Sequence, residues 1–222
     1  MRARRFLRGS ALVAILWTVA GCRDAVTPLD GPQLAGSAPT MLGEMTSLPT
    51  DAEGMHILQQ GAAAPALETY QVSFWARKDR ASTVVVNYTT GEPFLRFDIP
   101  RDGLKRGPGD NDDDDRKLRK HDSLLITLTI DPRTFTVDFQ PSGVVFDKHH
   151  RATLAMWYEN ANPDLNGDGV VDATDYALTQ QLAIWTRHAK RAPWMKLASG
   201  DGAFLPFVWT ELRHFSQYAV SW

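Results

Sequence analysis

From Thr69 onward the chain breaks into short runs rich in β-branched and aromatic residues, each closed by a turn. This punctuation constrains the fold more than any other feature. Tyr70-Gln-Val-Ser-Phe-Trp75 alternates apolar and polar positions, Thr83-Val-Val-Val-Asn-Tyr88 is β-branched, and Phe94-Leu-Arg-Phe-Asp-Ile99 stops at Pro100. Ser123–Ile130 and Thr134–Phe139 flank Asp131-Pro-Arg133, which has turn chemistry, and Ala152–Tyr158 follows the Pro141-Ser-Gly143 turn. Phe207–Leu212 and Gln217–Trp222 add two more runs. Many short strands at turn-punctuated spacing predict an all-β fold, an antiparallel β-sandwich over 69–222, long enough to bury one core.

The stretch from Asp175 to Arg191 admits two readings. Tyr176–Trp185 fits an amphipathic helix. Alternatively a short helix ends near Gln180, and Leu182–Arg187 pairs with Pro193–Ala198 as a hairpin. Leu182 and Ile184 on one side and Trp185 on the other favour the hairpin. The strand tryptophans Trp75, Trp157, Trp185, Trp194 and Trp209 are expected in the core.

Between the Ala152–Tyr158 run and that segment lies Asp164-Leu-Asn-Gly-Asp-Gly-Val-Val-Asp-Ala-Thr-Asp175. Oxygen side chains fall at loop positions 1, 3, 5, 9 and 12, namely Asp164, Asn166, Asp168, Asp172 and Asp175, with the Val170 carbonyl at position 7. Calcium takes 6–8 oxygens, so a tight loop must turn alternate side chains inward. Gly169 at position 6 permits the sharp turn, and Val171 is the expected apolar anchor. The pattern predicts a Ca2+ loop inserted between two strands, with a closing Asp175 shorter than the usual Glu. Without metal, the crowded carboxylates are expected to repel one another. The loop resembles a dockerin half-site. Dockerins carry two such repeats and one is found here; a dockerin-like assembly module is the alternative function that this resemblance implies.

Phe139-Gln-Pro-Ser-Gly143-Val-Val-Phe146, Trp194 and His214-Phe-Ser-Gln-Tyr218-Ala-Val220 together resemble the ZU5 domain, a β-sandwich of animal ankyrins, netrin receptors and death-domain proteins. The resemblance covers about Thr69 to Trp222, and the calcium insertion departs from it. In some members the His-Phe-Ser tripeptide is cut between Phe and Ser. The resemblance implies Ser216 Oγ attacking the Phe215 carbonyl with His214 as base. Read from the residues alone, the tripeptide is a tight turn between strands, with Phe215 in the core and His214 and Ser216 satisfying backbone groups. That reading is preferred, and no turnover is expected.

The N-terminus sets the expected address. Arg2, Arg4, Arg5 and Arg8 precede the apolar Ala11–Ala20, which is too short to span a bilayer, and Val19-Ala-Gly-Cys22 follows. Val-Ala-Gly-Cys resembles the bacterial lipobox, implying a signal peptide over 1–21 and lipidation of Cys22. The expected localisation is the bacterial cell envelope, anchored through the lipid. Arg23, not Asp, after the Cys favours the outer membrane. The segment 22–68 lacks periodicity and reads as a tether, spanning ~35–40 Å if it behaves as a flexible coil.

Loss of four arginines with the leader leaves 20 basic against 26 acidic residues, a net charge of −6. That balance argues against nucleic acid as a partner. An envelope protein or a polysaccharide is the expected one. The acidic run Asp112–Asp115 lacks ligand spacing and reads as a hydrated loop. His149 and His150 read as surface residues after the Asp147-Lys148 turn.

Overall fold

The computed structural model describes residues 55–109, 116–189, 191–202 and 205–222. The leader, Cys22, most of the expected tether and the acidic run Asp112–Asp115 lie outside the described residues.

The fold is all-β. In chain order the strands are β1 (Gln71–Arg77), β2 (Ser82–Asn87), β3 (Pro93–Ile99), β4 (Leu104–Arg106), β5 (Ser123–Asp131), β6 (Thr136–Gln140), β7 (Val145–Phe146) and β8 (Ala152–Trp157). Helix α1 (Ala173–Thr179) comes next, then β9 (Ala183–Arg187), β10 (Met195–Lys196), β11 (Ser199–Gly202), β12 (Leu205–Leu212) and β13 (Gln217–Ser221). One sheet runs β1-β5-β6-β13-β9-β10 and another β11-β12-β8-β3-β2, with β4 and β7 forming a small third. The paired strands are antiparallel. Both large sheets are open, so this is a sandwich and not a barrel.

Period-two burial builds the core. On β5, Ile126, Leu128 and Ile130 turn inward. On β12, Val208 and Leu212 do so while Leu205 and Trp209 face out. Aromatic rings bridge the sheets: Phe97 of β3 meets Phe139 of β6 at 4.8 Å between centroids. The expected turn at Asp131 is present, its carboxylate accepting from the Arg133 N–H at 3.1 Å. Phe135 follows in the left-handed region (φ 43°), so β6 starts at Thr136 and not at Thr134. The Phe135 ring packs against Phe94. The preferred hairpin forms, with Met195 opposite Thr186 and Lys196 opposite Trp185. His149 and His150 are exposed, as expected.

Two expectations are corrected. Residues 55–68 are not free tether. Leu58 and Leu67 are buried, Ile57 bridges to Ser221, and Ser221 Oγ donates to the His56 carbonyl at 2.7 Å. Met55 joins Trp194 and Ala219 in a second small core on the outside of the six-stranded sheet. The three apolar side chains are too widely spaced in sequence to give a periodic signal. Nor are all the strand tryptophans core. Trp194 is buried, but Trp75 is 66% and Trp209 40% exposed, because both occupy outward positions of their strands.

Candidate functional site

The loop from Asp164 to Asp175 connects β8 of the five-stranded sheet to α1, and α1 leads into β9 of the other. It is anchored at its start by Leu165, which is 4% exposed and part of the main core. Val171, the expected anchor, is 61% exposed. Gly167 and Gly169 take φ 72° and 86°. A Cβ at Gly169 would meet nothing within 4 Å, so backbone conformation and not space demands glycine there.

The loop's oxygen side chains face mostly backbone N–H groups, and Asn166 Nδ2 also donates to Asp168 Oδ2 at 2.8 Å. Asp164 accepts from Gly167 at 2.8 Å and Gly169 at 2.9 Å. Asn166 Oδ1 accepts from Asp168 N at 3.0 Å, and Asp168 Oδ1 from Val170 N at 2.8 Å. Asp172 caps α1 through the Thr174 N–H at 2.7 Å. Asp175, 2% exposed, accepts from Leu165 at 2.7 Å, Asn166 at 3.1 Å and Asp172 at 2.9 Å. The Asp172 N–H first, then those of Asn166 and Leu165, hold the Asp175 carboxyl below the usual carboxylate value against the opposing effect of burial. The expected mutual repulsion is thus relieved by the loop's own amides. Among the described residues no three His, Cys, Asp or Glu side chains gather close enough to hold a metal ion.

The donor chemistry nevertheless suits a hard cation. A carboxylate offers about four lone-pair positions. The loop amides and the Asn166 side chain use two on Asp164 and two on Asp168. Asp175 is the most committed of the set. Oxygen capacity therefore remains at positions 1, 3 and 5, beside a free choice of the Val170 carbonyl.

His214, Phe215 and Ser216 form the turn between β12 and β13. Phe215 is core, stacked on Phe139 at 5.1 Å and edge-on to Phe146 at 5.2 Å. Its N–H donates to the Val144 carbonyl. Ser216 Oγ donates to the Arg187 carbonyl on β9, and Tyr218 Oη donates to the His214 carbonyl. The His214 ring lies 4.4 Å from His188, and its buried Nδ1 makes no well-aligned hydrogen bond. Burial first, then the His188 charge, lowers the His214 pKa from 6.5. Serine and histidine are neighbours in sequence but are not hydrogen-bonded to each other.

Sequence reasoning missed a cleft of about 680 Å³ between α1 and β11. Tyr158, Tyr176, Gln180, Asp201 and Leu205 line it. Tyr158, Tyr176 and Thr179 also line a smaller cleft of about 380 Å³ that reaches Asp172 and Asp175.

Searches against protein-family models, curated proteins and solved structures give no match. The functional reading therefore rests on the residues and their geometry.

Proposed function

We propose that the chain is a calcium-stapled interaction module of the bacterial cell envelope, held by lipid on Cys22 and acting without turnover, on a ZU5-like sandwich. The observation that carries the calcium part is the clasp at the loop's two ends. Leu165 is seated in the core, and the buried Asp175 carboxylate bonds its N–H. An ion held by Asp164, Asn166, Asp168, Asp172 and the Val170 carbonyl, with Asp175 closing the loop, would couple to the stability of the whole body. Calcium supplies charge neutralisation and cross-linking there; the chain supplies the oxygens and the tie to the core. The loop's position between two sheets favours a staple over a switch. The partner would be an envelope protein or a polysaccharide.

The test is a thermal melt of the full chain in calcium and in chelator, beside Asp168→Ala. Calcium stabilises the wild type by ~2.7 kcal/mol at a hundredfold excess over Kd, and the variant loses that increment. Identical melts in calcium and chelator for the wild type would remove the staple.

A further inference from the structure

We propose that the cleft between α1 and β11 is a binding site for neutral saccharides. The proposal deepens the interaction-module reading by naming its ligand class. It rests on that reading only for the dependence on calcium.

Four residues with polar side chains line this cleft: Tyr158 and Tyr176 with their hydroxyls, Gln180 with its amide and Asp201 with its carboxylate. Tyr158 is half-buried. Burial, then the nearby Asp201 carboxylate, raises its phenol above the ordinary value. Tyr176 and Leu205 are 69% and 61% exposed, and so present an aromatic and an aliphatic surface to solvent at the cleft rim. The volume, about 680 Å³, falls within the roughly 300–1,000 Å³ of small-molecule sites.

The ligand class follows from what these groups can and cannot satisfy. Among the described residues of the lining an anionic ligand finds no Lys, Arg or His, and it is repelled by Asp201. A purely apolar ligand would strip water from a carboxylate, two phenols and an amide without replacing it, which is unfavourable for each group left unpaired. A quaternary cation needs an enclosing aromatic cage, whereas Tyr176 stands open at the rim. A pyranose matches both halves of the lining. Its apolar CH face packs on an aromatic ring, and its hydroxyls meet the donors and acceptors around it.

Helix α1 links this cleft to the loop. Tyr176, on the helix, is the residue after Asp175, and Thr179 Oγ1 donates to the Asp175 carbonyl at 3.0 Å. Ordering the loop therefore orders the wall that carries Tyr176. Calcium is expected to tighten saccharide binding.

The experiment applies the full chain to a printed array of neutral plant and microbial glycans, with an acidic polygalacturonate and choline as comparison probes. Hits are measured by titration calorimetry in calcium and in chelator. The expected result is binding of at least one neutral glycan, weakened tenfold or more by Tyr176→Ala and by Asp201→Ala, and unchanged by Trp75→Ala on the other sheet. Melts of each variant show that it is folded. No neutral glycan bound by the calcium-loaded chain would overturn the proposal, as would binding of choline or polygalacturonate in its place, or neutral-glycan binding that survives both cleft variants. Glycan binding that is equal in calcium and chelator, and sensitive to the cleft variants, upholds the site and removes only the calcium linkage.

Discussion

The Asp175 carboxylate accepts the Leu165 N–H at 2.7 Å, and both residues are buried, although ten positions separate them in the chain. One side chain thus closes the loop onto the point where it enters the core. The same carboxylate accepts the Asp172 N–H at 2.9 Å as the first-turn partner, at the third helical residue, of a capping box at the start of α1. Asp168, by contrast, is exposed and bonds only within the loop. The two aspartates should separate in experiment. Asp175→Ala lowers the melting temperature in calcium and in chelator alike, because three backbone N–H groups lose their acceptor. Asp168→Ala leaves the chelator melt within about 0.5 kcal/mol of wild type and loses only the calcium increment. Circular-dichroism melts of the three proteins under both conditions read the difference. A chelator melt of Asp175→Ala equal to wild type would refute the clasp.

The His-Phe-Ser turn is expected to stay intact. Cleavage requires Ser216 Oγ to give its proton to a base while attacking Phe215, yet that proton is directed at the Arg187 carbonyl on the neighbouring strand. Intact-mass spectrometry under denaturing conditions should give one uncut species for the wild type and for Ser216→Ala. The variant should lose about 1 kcal/mol of stability with the hydrogen bond. A wild-type species lacking Ser216–Trp222, absent from the variant, would establish self-processing instead.

The same turn predicts a pH dependence. The folded pKa of His214 lies below 6.5, lowered by burial and by His188, with Arg213 adding to the effect. The unfolded chain therefore takes up a proton first as pH falls. Stability from this group is fully present above about pH 6.5 and is lost as pH drops from there toward the folded pKa. His214→Gln keeps a polar ring-sized group that does not titrate, so its urea midpoint should fall less between pH 7 and pH 5 than that of the wild type. Parallel pH profiles for the two proteins would exclude His214 as the source.

The strands were legible because period two and turn residues are local signals. Leu128 and Ile130 alternate with the threonines of β5, Val84 and Val86 lie in a β-branched run, and Pro100, Asp131 and Gly143 mark the ends. Short β4, β7 and β11 were not, since two to four residues cannot show a period. The loop was legible in ligand order but not in anchoring. Spacing singles out Asp164 to Asp175, while the choice of Leu165 over Val171 as the buried residue depends on which side of the loop meets the sandwich. The cleft was illegible because Tyr158, Tyr176 and Asp201 come from three elements that only the fold brings together.

The strap at 55–68 gives the last prediction. A chain beginning at Thr69 keeps every strand yet loses Met55, Leu58 and Leu67, which are 2%, 0% and 3% exposed. It also loses the His56 ring stacked on Trp222 at 5.5 Å. Full burial of one large apolar side chain contributes about 1.5–3 kcal/mol. The bridges at Ile57, Gln60 and Leu67 show that the strap runs along existing structure and is held at several points. A chain from Thr69 should therefore unfold at clearly lower urea than one from Met55. The loss should persist in saturating calcium, because the strap's principal contacts are with β13 and the core. Equal midpoints would mean that the strap rides on the sandwich without contributing to it.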